Sequence, residues 1–183
     1  MRNFQLISVG LDILPLQLTL KRKDHLFGAH PGRTGYPESV HEDVQDILLR
    51  INNSEDFKTA NFDPESPDQP VYTELQEARI LVNWLVARVQ AERIGRVMIT
   101  KLAPGKGIKP HIDFIGENDY CSYYDRFHIA IQSAPGMQFY ADPDTVEMRT
   151  GECWWFNNKA LHWVQNHSDI DRIHMVIDLR LRQ

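Results

Sequence analysis

The chain predicts a mainly β domain of the jelly-roll or cupin-like kind, with about two helices packed against it from the N-terminal half. Two observations carry that prediction. After Gly95 the apolar pattern changes to short runs and alternation separated by turn residues, which is the mark of many short strands. Before Gly95 lies all of the helical periodicity, so helices and strands do not alternate as they would around a parallel sheet. A length of 183 residues suits a single domain over 1–183, in which 1–95 supplies N-terminal strands, loops and helices and 96–183 the barrel core.

In chain order, the apolar stretch over 4–20 is interrupted by Asp12 and Pro15 and is followed by no small-residue cleavage site. It is too short to span a membrane and reads as a buried strand or hairpin. Gly28, Pro31, Gly32 and Gly35 mark a loop. Ser39 with Glu42 has capping-box spacing, and Val40, Val44, Ile47, Leu48 and Ile51 recur at helical intervals, so a short amphipathic helix is expected there. The stretch 52–71, with Pro64, Pro67 and Pro70, is a long irregular connection, either a flap over a site or a plain surface excursion. Thr73 and Gln76 then form a second capping box. It opens a helix whose stripe is Leu75, Ala78, Val82, Leu85 and Val89, widened by Leu81 and Val86, and which stops before Gly95.

Strands are expected over 96–102, 109–114, 126–133, 137–141, 146–149, 152–156, 161–166 and 172–181. Pro104-Gly105, Pro135-Gly136, Asp142-Pro143-Asp144, Gly151 and Asn157-Asn158 supply the turns between them.

Composition narrows the function classes. With 42% hydrophobic and 25% charged residues the chain is that of a globular protein. A net charge of -5, with no basic cluster longer than Lys21-Arg22-Lys23, lacks the footprint of a nucleic-acid binder. No nucleic-acid or membrane partner is expected. Cys121 and Cys153 are far apart and outside any CxxC pattern, so they read as reduced thiols of a cytoplasmic protein rather than zinc ligands.

The chemistry gathers around Lys109-Pro110-His111-Ile112-Asp113. On a strand, residues two apart share a face, so His111 and Asp113 present an imidazole and a carboxylate together. His162, from another strand, is the candidate third ligand of a two-histidine, one-carboxylate triad of the kind that holds non-haem Fe(II) and leaves positions open. By the same count Thr100 shares a face with Met98 and Leu102, Arg126 with His128, His162 with Val164 and Asn166, and Arg172 with His174 and Val176. If these faces point inward, two arginines enter a barrel. A buried arginine without a carboxylate costs on the order of several kcal/mol, and its planar fork suits a bidentate carboxylate, so a small dicarboxylate ligand is expected.

The residues Arg96-Val97-Met98, Leu102-Ala103-Pro104-Gly105, Pro110-His111-Ile112-Asp113, Arg126-Phe127-His128, Gly151-Glu152, His162 to Asn166 and Asp171-Arg172-Ile173-His174 occur in an order that resembles the aspartyl/asparaginyl β-hydroxylase family of 2-oxoglutarate dioxygenases. The resemblance covers about the last 90 residues. It implies a double-stranded β-helix, iron on His111 and His162, and 2-oxoglutarate held by Thr100, Arg126, His128 and Arg172, the last anchoring the distal carboxylate. It also implies Fe(II), 2-oxoglutarate and O2 as the reactive set, and hydroxylation of a carbon of an amino acid, peptide side chain or related small metabolite. The animal members lack the carboxylate ligand. Asp113 places this chain nearer the bacterial branch with a full His-Asp-His triad, which includes free-proline hydroxylases. The segment 118–125, with Tyr120, Tyr123 and Tyr124, lengthens the connection between the triad and Arg126 and is the expected border of the substrate pocket.

Other readings stand beside these. The barrel could be a non-catalytic cupin-like module binding a metal or small molecule, or a redox-inert metal hydrolase or isomerase; neither gives a reason for paired inward arginines. His174 reads as a satisfied core histidine, and Trp154 and Trp155 as packing residues. His25, His30, His41 and His167 carry no assignable role.

Overall fold

The computed structural model describes residues 1–29, 38–52, 66–113 and 120–182. Within them the expected mainly β architecture is present as two antiparallel sheets and two helices. Strands β1 (Phe4–Ser8), β2 (Val44–Arg50), β3 (Ala91–Leu102), β5 (Asp125–Gln132), β8 (Cys153–Phe156) and β10 (Arg172–Leu181) form a six-stranded sheet in the order β1-β8-β5-β10-β3-β2. Strands β4 (Gly107–His111), β6 (Met137–Ala141), β7 (Asp144–Val146) and β9 (His162–Asn166) form a four-stranded sheet in the order β4-β9-β6-β7. Strands β1 and β2 lie at the two edges of the larger sheet, so residues before 96 complete the barrel rather than merely decorate it.

The larger sheet is buried on both faces, and the alternation of side chains divides its work. Phe127, Ile129 and Ile131 of β5, Val97 and Ile99 of β3, and Met175, Ile177 and Leu179 of β10 join one apolar core with Leu16 and Leu20 of helix α1 (Leu14–Arg22) and Ala78, Val82 and Leu85 of helix α2 (Gln76–Val89). A second core, between the two sheets, contains Leu102, Ala130, Trp154 and Phe156 from the larger sheet and Phe139, Ala141 and Val164 from the smaller. Arg126, Arg172, His174 and Asp178 occupy the positions of β5 and β10 that alternate with the helix-facing ones. They therefore point between the sheets.

Four local expectations are corrected. The segment expected to be a helix over Ser39 to Ile51 is strand β2, paired with β3 from Val44↔Leu102 to Arg50↔Val97. Because both faces of β2 are covered, its apolar residues run nearly continuously, and such a run has no period to tell it from a helix. Ser39 makes a turn instead of a cap, its Oγ accepting the His41 N–H at 3.1 Å. The stretch over 4–20 is a strand followed by α1, since Pro15, read as an interruption, sits in the helix's first turn, where a missing N–H costs nothing. Thr73 lies in a short 3-10 turn (Pro70–Glu74), with its hydroxyl on the Pro70 carbonyl, so α2 begins three residues later with no side-chain cap. Strand β3 starts at Ala91, directly after Gln90 reverses the chain at φ 54°, rather than after Gly95.

The other strands agree with expectation to within a few residues, except that β4 ends at His111 and leaves Asp113 in the bend beyond it. The flap reading of 52–71 falls mostly on 53–65, outside the described residues. Cys121 and Cys153 are both free and buried. No described helix is long and apolar enough to cross a membrane.

Candidate metal centre and co-substrate cleft

One donor atom each from His111, Asp113 and His162 lies within 4.8 Å of the others. Strand pairing explains the meeting of the histidines: His111 ends β4 exactly opposite His162 at the start of β9, and their ring centroids are 4.2 Å apart. Asp113 reaches the pair from the bend, not from the strand face, where its N–H bonds the Asn158 carbonyl at 3.3 Å. Its carboxylate stands 3.5 Å from His111 Nε2 and 3.6 Å from His162 Nε2.

Both imidazoles are oriented by the backbone. Nδ1 of His111 is 2.8 Å from the Lys109 carbonyl, and Nδ1 of His162 is 2.9 Å from the Ala160 carbonyl. A carbonyl only accepts, so each Nδ1 carries a proton and each Nε2 is turned toward Asp113. This is the arrangement that fixes a metal-binding histidine. Burial, outweighing the attraction of Asp113, pulls the His162 pKa down to about 4, so the ring is neutral and ready to ligate near neutrality. Burial pushes the Asp113 carboxyl up, but Arg126 and the neighbouring histidines more than offset this and hold it far below the usual carboxylate range. Two imidazoles and a carboxylate, already converging, fit a divalent cation such as Fe(II).

The two arginines do enter the space between the sheets, and their surroundings differ. Arg126 is clamped: Nε and Nη2 donate to Asp178 at 2.7 and 2.9 Å, and Nη1 donates to Asp113 at 2.5 Å. Burial disfavours its charge, and the two carboxylates more than restore it. Arg172 has only 2% of its surface exposed and no carboxylate partner among the described residues. Its Nη2 donates to His174 Nδ1 at 3.0 Å, and its guanidinium lies 5.7 Å from the Phe139 ring centre. Burial alone draws its pKa down to about 9. Here is a cation that lacks an anion.

Arg126 and Arg172 share one cleft with Thr100, His128, His111 and His162. Its apolar walls are Ile108, Phe139, Phe156, Val164 and Val176. The cleft thus gathers every residue singled out for metal or co-substrate except Asp113, which reaches it through His111, His162 and Arg126. His174 is not a satisfied core histidine. Because Arg172 can only donate, Nδ1 of His174 accepts, the proton sits on Nε2, and that buried atom has no partner among the described residues.

Two residues escaped the sequence reading. His41 lines the cleft with its ring centroid 4.8 Å from that of His111, and nothing in a loop sequence signals it. Asp178 could have been found, since the alternation that turns Arg172 and His174 inward also turns Asp178 inward. Of the tyrosines expected to border the substrate pocket, Tyr120 and Tyr124 instead stack on each other at 4.3 Å, buried beside β3. Trp154 and Trp155 bond Glu152 and Asp125 and do not line the cleft.

A two-sheet β barrel whose cleft carries a two-histidine, one-carboxylate donor set has the form used by non-haem Fe(II) oxygenases. The chain belongs to the aspartyl/asparaginyl β-hydroxylase family, whose model matches residues 70–181, more than half of the sequence. It is 30% identical over 116 residues to L-proline cis-3-hydroxylase 1 of a Streptomyces species; the match covers 62% of this chain and 39% of that enzyme. Among solved structures, a prolyl-4-hydroxylase of Pseudomonas putida superposes with a TM-score of 0.58 over 98% of this chain and 92% of its own, at 15% identity. A 2OG-Fe(II) oxygenase family oxidoreductase of Burkholderia pseudomallei superposes with a TM-score of 0.54 over 88% and 77%, at 17% identity. At these identities the structural likeness establishes the fold.

Proposed function

We propose that this chain is an Fe(II)- and 2-oxoglutarate-dependent dioxygenase that hydroxylates an unactivated carbon of an amino acid, peptide side chain or related small metabolite. The observation that carries the proposal is Arg172: a fully buried guanidinium without a carboxylate partner among the described residues, in the same cleft as converging His111 and His162. A dicarboxylate that also chelates a metal answers both needs at once.

In this reading His111, Asp113 and His162 hold the iron, and the Lys109 and Ala160 carbonyls keep each Nε2 turned toward it. Arg172 grips the distal carboxylate of 2-oxoglutarate as a planar fork, and Thr100, Arg126 and His128 complete the co-substrate pocket. Ile108, Phe139, Phe156, Val164 and Val176 keep water from the reacting groups. Bound Fe(II) supplies the redox chemistry by which 2-oxoglutarate and O2 become succinate and CO2 while one substrate C–H becomes C–OH. We read the chain as a single catalytic domain working in the cytoplasm, in keeping with its free, buried cysteines.

The test is succinate release with Fe(II), 2-oxoglutarate and O2 across free amino acids and short peptides. L-proline comes first, because the Streptomyces relative is a proline hydroxylase by name. A substrate-dependent rise in succinate, with a product heavier by one oxygen atom, is expected, and Asp113→Ala should abolish most of it. Binding of 2-oxoglutarate with no decarboxylation under any substrate would favour a non-catalytic binding module.

A further inference from the structure

We infer that Asp178 is a positioning residue that sets the charge of the candidate metal centre by holding Arg126 against Asp113. The inference rests on the metal reading above and goes beyond it, because Asp178 is not a ligand.

The geometry is that of a relay. Asp178 has 1% of its surface exposed and occupies both Nε and Nη2 of Arg126, at 2.7 and 2.9 Å. That bidentate grip leaves the third nitrogen, Nη1, to meet Asp113 Oδ2 at 2.5 Å. Asp113 follows the end of β4 by two residues; the Asn158 carbonyl holds its N–H, and its carboxylate meets Arg126. The rigid fork carries the position of β10 across β5 to the bend.

Charge gives the pairing a second consequence. A guanidinium touching Asp113 would by itself cancel the one negative charge that the donor set offers a dication. With Asp178 the three groups, two carboxylates against one guanidinium, stand at net -1. The site keeps its attraction for a cation, and Asp113 is still held in place. Removing Asp178 alone makes the cluster neutral and turns Arg126 wholly onto Asp113.

The experiment is titration of the metal-free full chain with Mn(II), followed by electron paramagnetic resonance of the free ion, and with Fe(II) under anaerobic conditions. Far-ultraviolet circular dichroism checks the fold of each protein. Asp178→Asn should bind both metals 10- to 100-fold more weakly than the parent, about the loss expected when a group that orients a ligand is removed. The double variant Arg126→Met, Asp178→Asn removes the guanidinium too, restores net -1 on Asp113, and should bind at least about tenfold more tightly than Asp178→Asn. Packing damage alone would leave the double variant no better than the single. Parental affinity in Asp178→Asn, or no recovery in the double variant, overturns the inference while the metal reading stands. A parent that binds neither metal overturns both. If Asp178→Asn does not fold, the double variant decides: affinity within about tenfold of the parent supports the charge account, and lost affinity refutes it.

Discussion

At the residue scale the cleft turns on the contrast between its two arginines. Arg126 has its anions built into the fold, whereas among the described residues Arg172 has His174 and no carboxylate, which is why the proposed function gives Arg172 the incoming carboxylate. Arg172→Ala should therefore weaken 2-oxoglutarate binding by about 2 to 5 kcal/mol, the usual loss for one half of a buried charge-assisted pair. Metal affinity should stay near parental, because the guanidinium touches none of the three donors. Calorimetric titration of the Mn(II)-loaded protein with 2-oxoglutarate checks this, and unchanged affinity would remove Arg172 from the pocket. The convergence of His111 with His162 and the inward turn of both arginines were legible in the sequence because period-two spacing on strands reports which side chains share a face. Asp113 was found for a partly wrong reason, since it lies past the strand that was meant to orient it. His41 was not legible at all: its place depends on how the turn before β2 folds over β4, which no local pattern encodes.

At the scale of elements, the strands were legible where turn residues bracket them, and β6 and β10 match expectation residue for residue. The miss at β2 has a physical cause, because a strand covered on both faces gives up the alternation that would announce it. Gly95 shows a different limit. It reads as a helix stop, but it lies inside β3, where a Cβ would collide with Tyr120 Oη and come within 2.8 Å of the Tyr124 ring. The missing side chain makes room for the stacked tyrosines, and Tyr120 Oη accepts the Arg96 N–H at 2.7 Å while its ring underlies the Arg96 guanidinium at 4.0 Å. Gly95→Ala should cost about 1 to 3 kcal/mol, as overpacking of a filled interior does, with a changed near-ultraviolet tyrosine signal. A parental denaturation midpoint would mean that the tyrosine pair yields freely and does not brace β3.

At the scale of the whole molecule, two stacked interiors meet at one sheet. The helix-side core is apolar, and the space between the sheets contains ionisable groups that would not be there for stability alone. This makes the metal-free protein sensitive to acid. Burial pulls the pKa of His162 down to about 4; burial, then Arg172 and His128, hold that of His174 well below the ordinary imidazole value. In the unfolded chain both titrate near ~6.5, so below that pH the unfolded state binds more protons than the folded one and acid favours unfolding. The stability tied to these neutral rings is fully present above about pH 6.5 and is lost as pH falls toward the folded pKa values, for His162 at up to about 1.4 kcal/mol per pH unit. By pH 5 His162 alone removes about 2 kcal/mol, a sizeable share of the ~5 to 15 kcal/mol that holds a domain folded, and His174 acts in the same direction. Urea midpoints measured in chelator at pH 7.5, 6 and 5 should fall steadily, and His174→Gln should show a shallower fall than the parent between pH 6 and 5. A flat midpoint across that interval would mean that both rings are protonated in the folded barrel as readily as in the unfolded chain. In that case the Arg172 to His174 bond could not have Nδ1 as its acceptor.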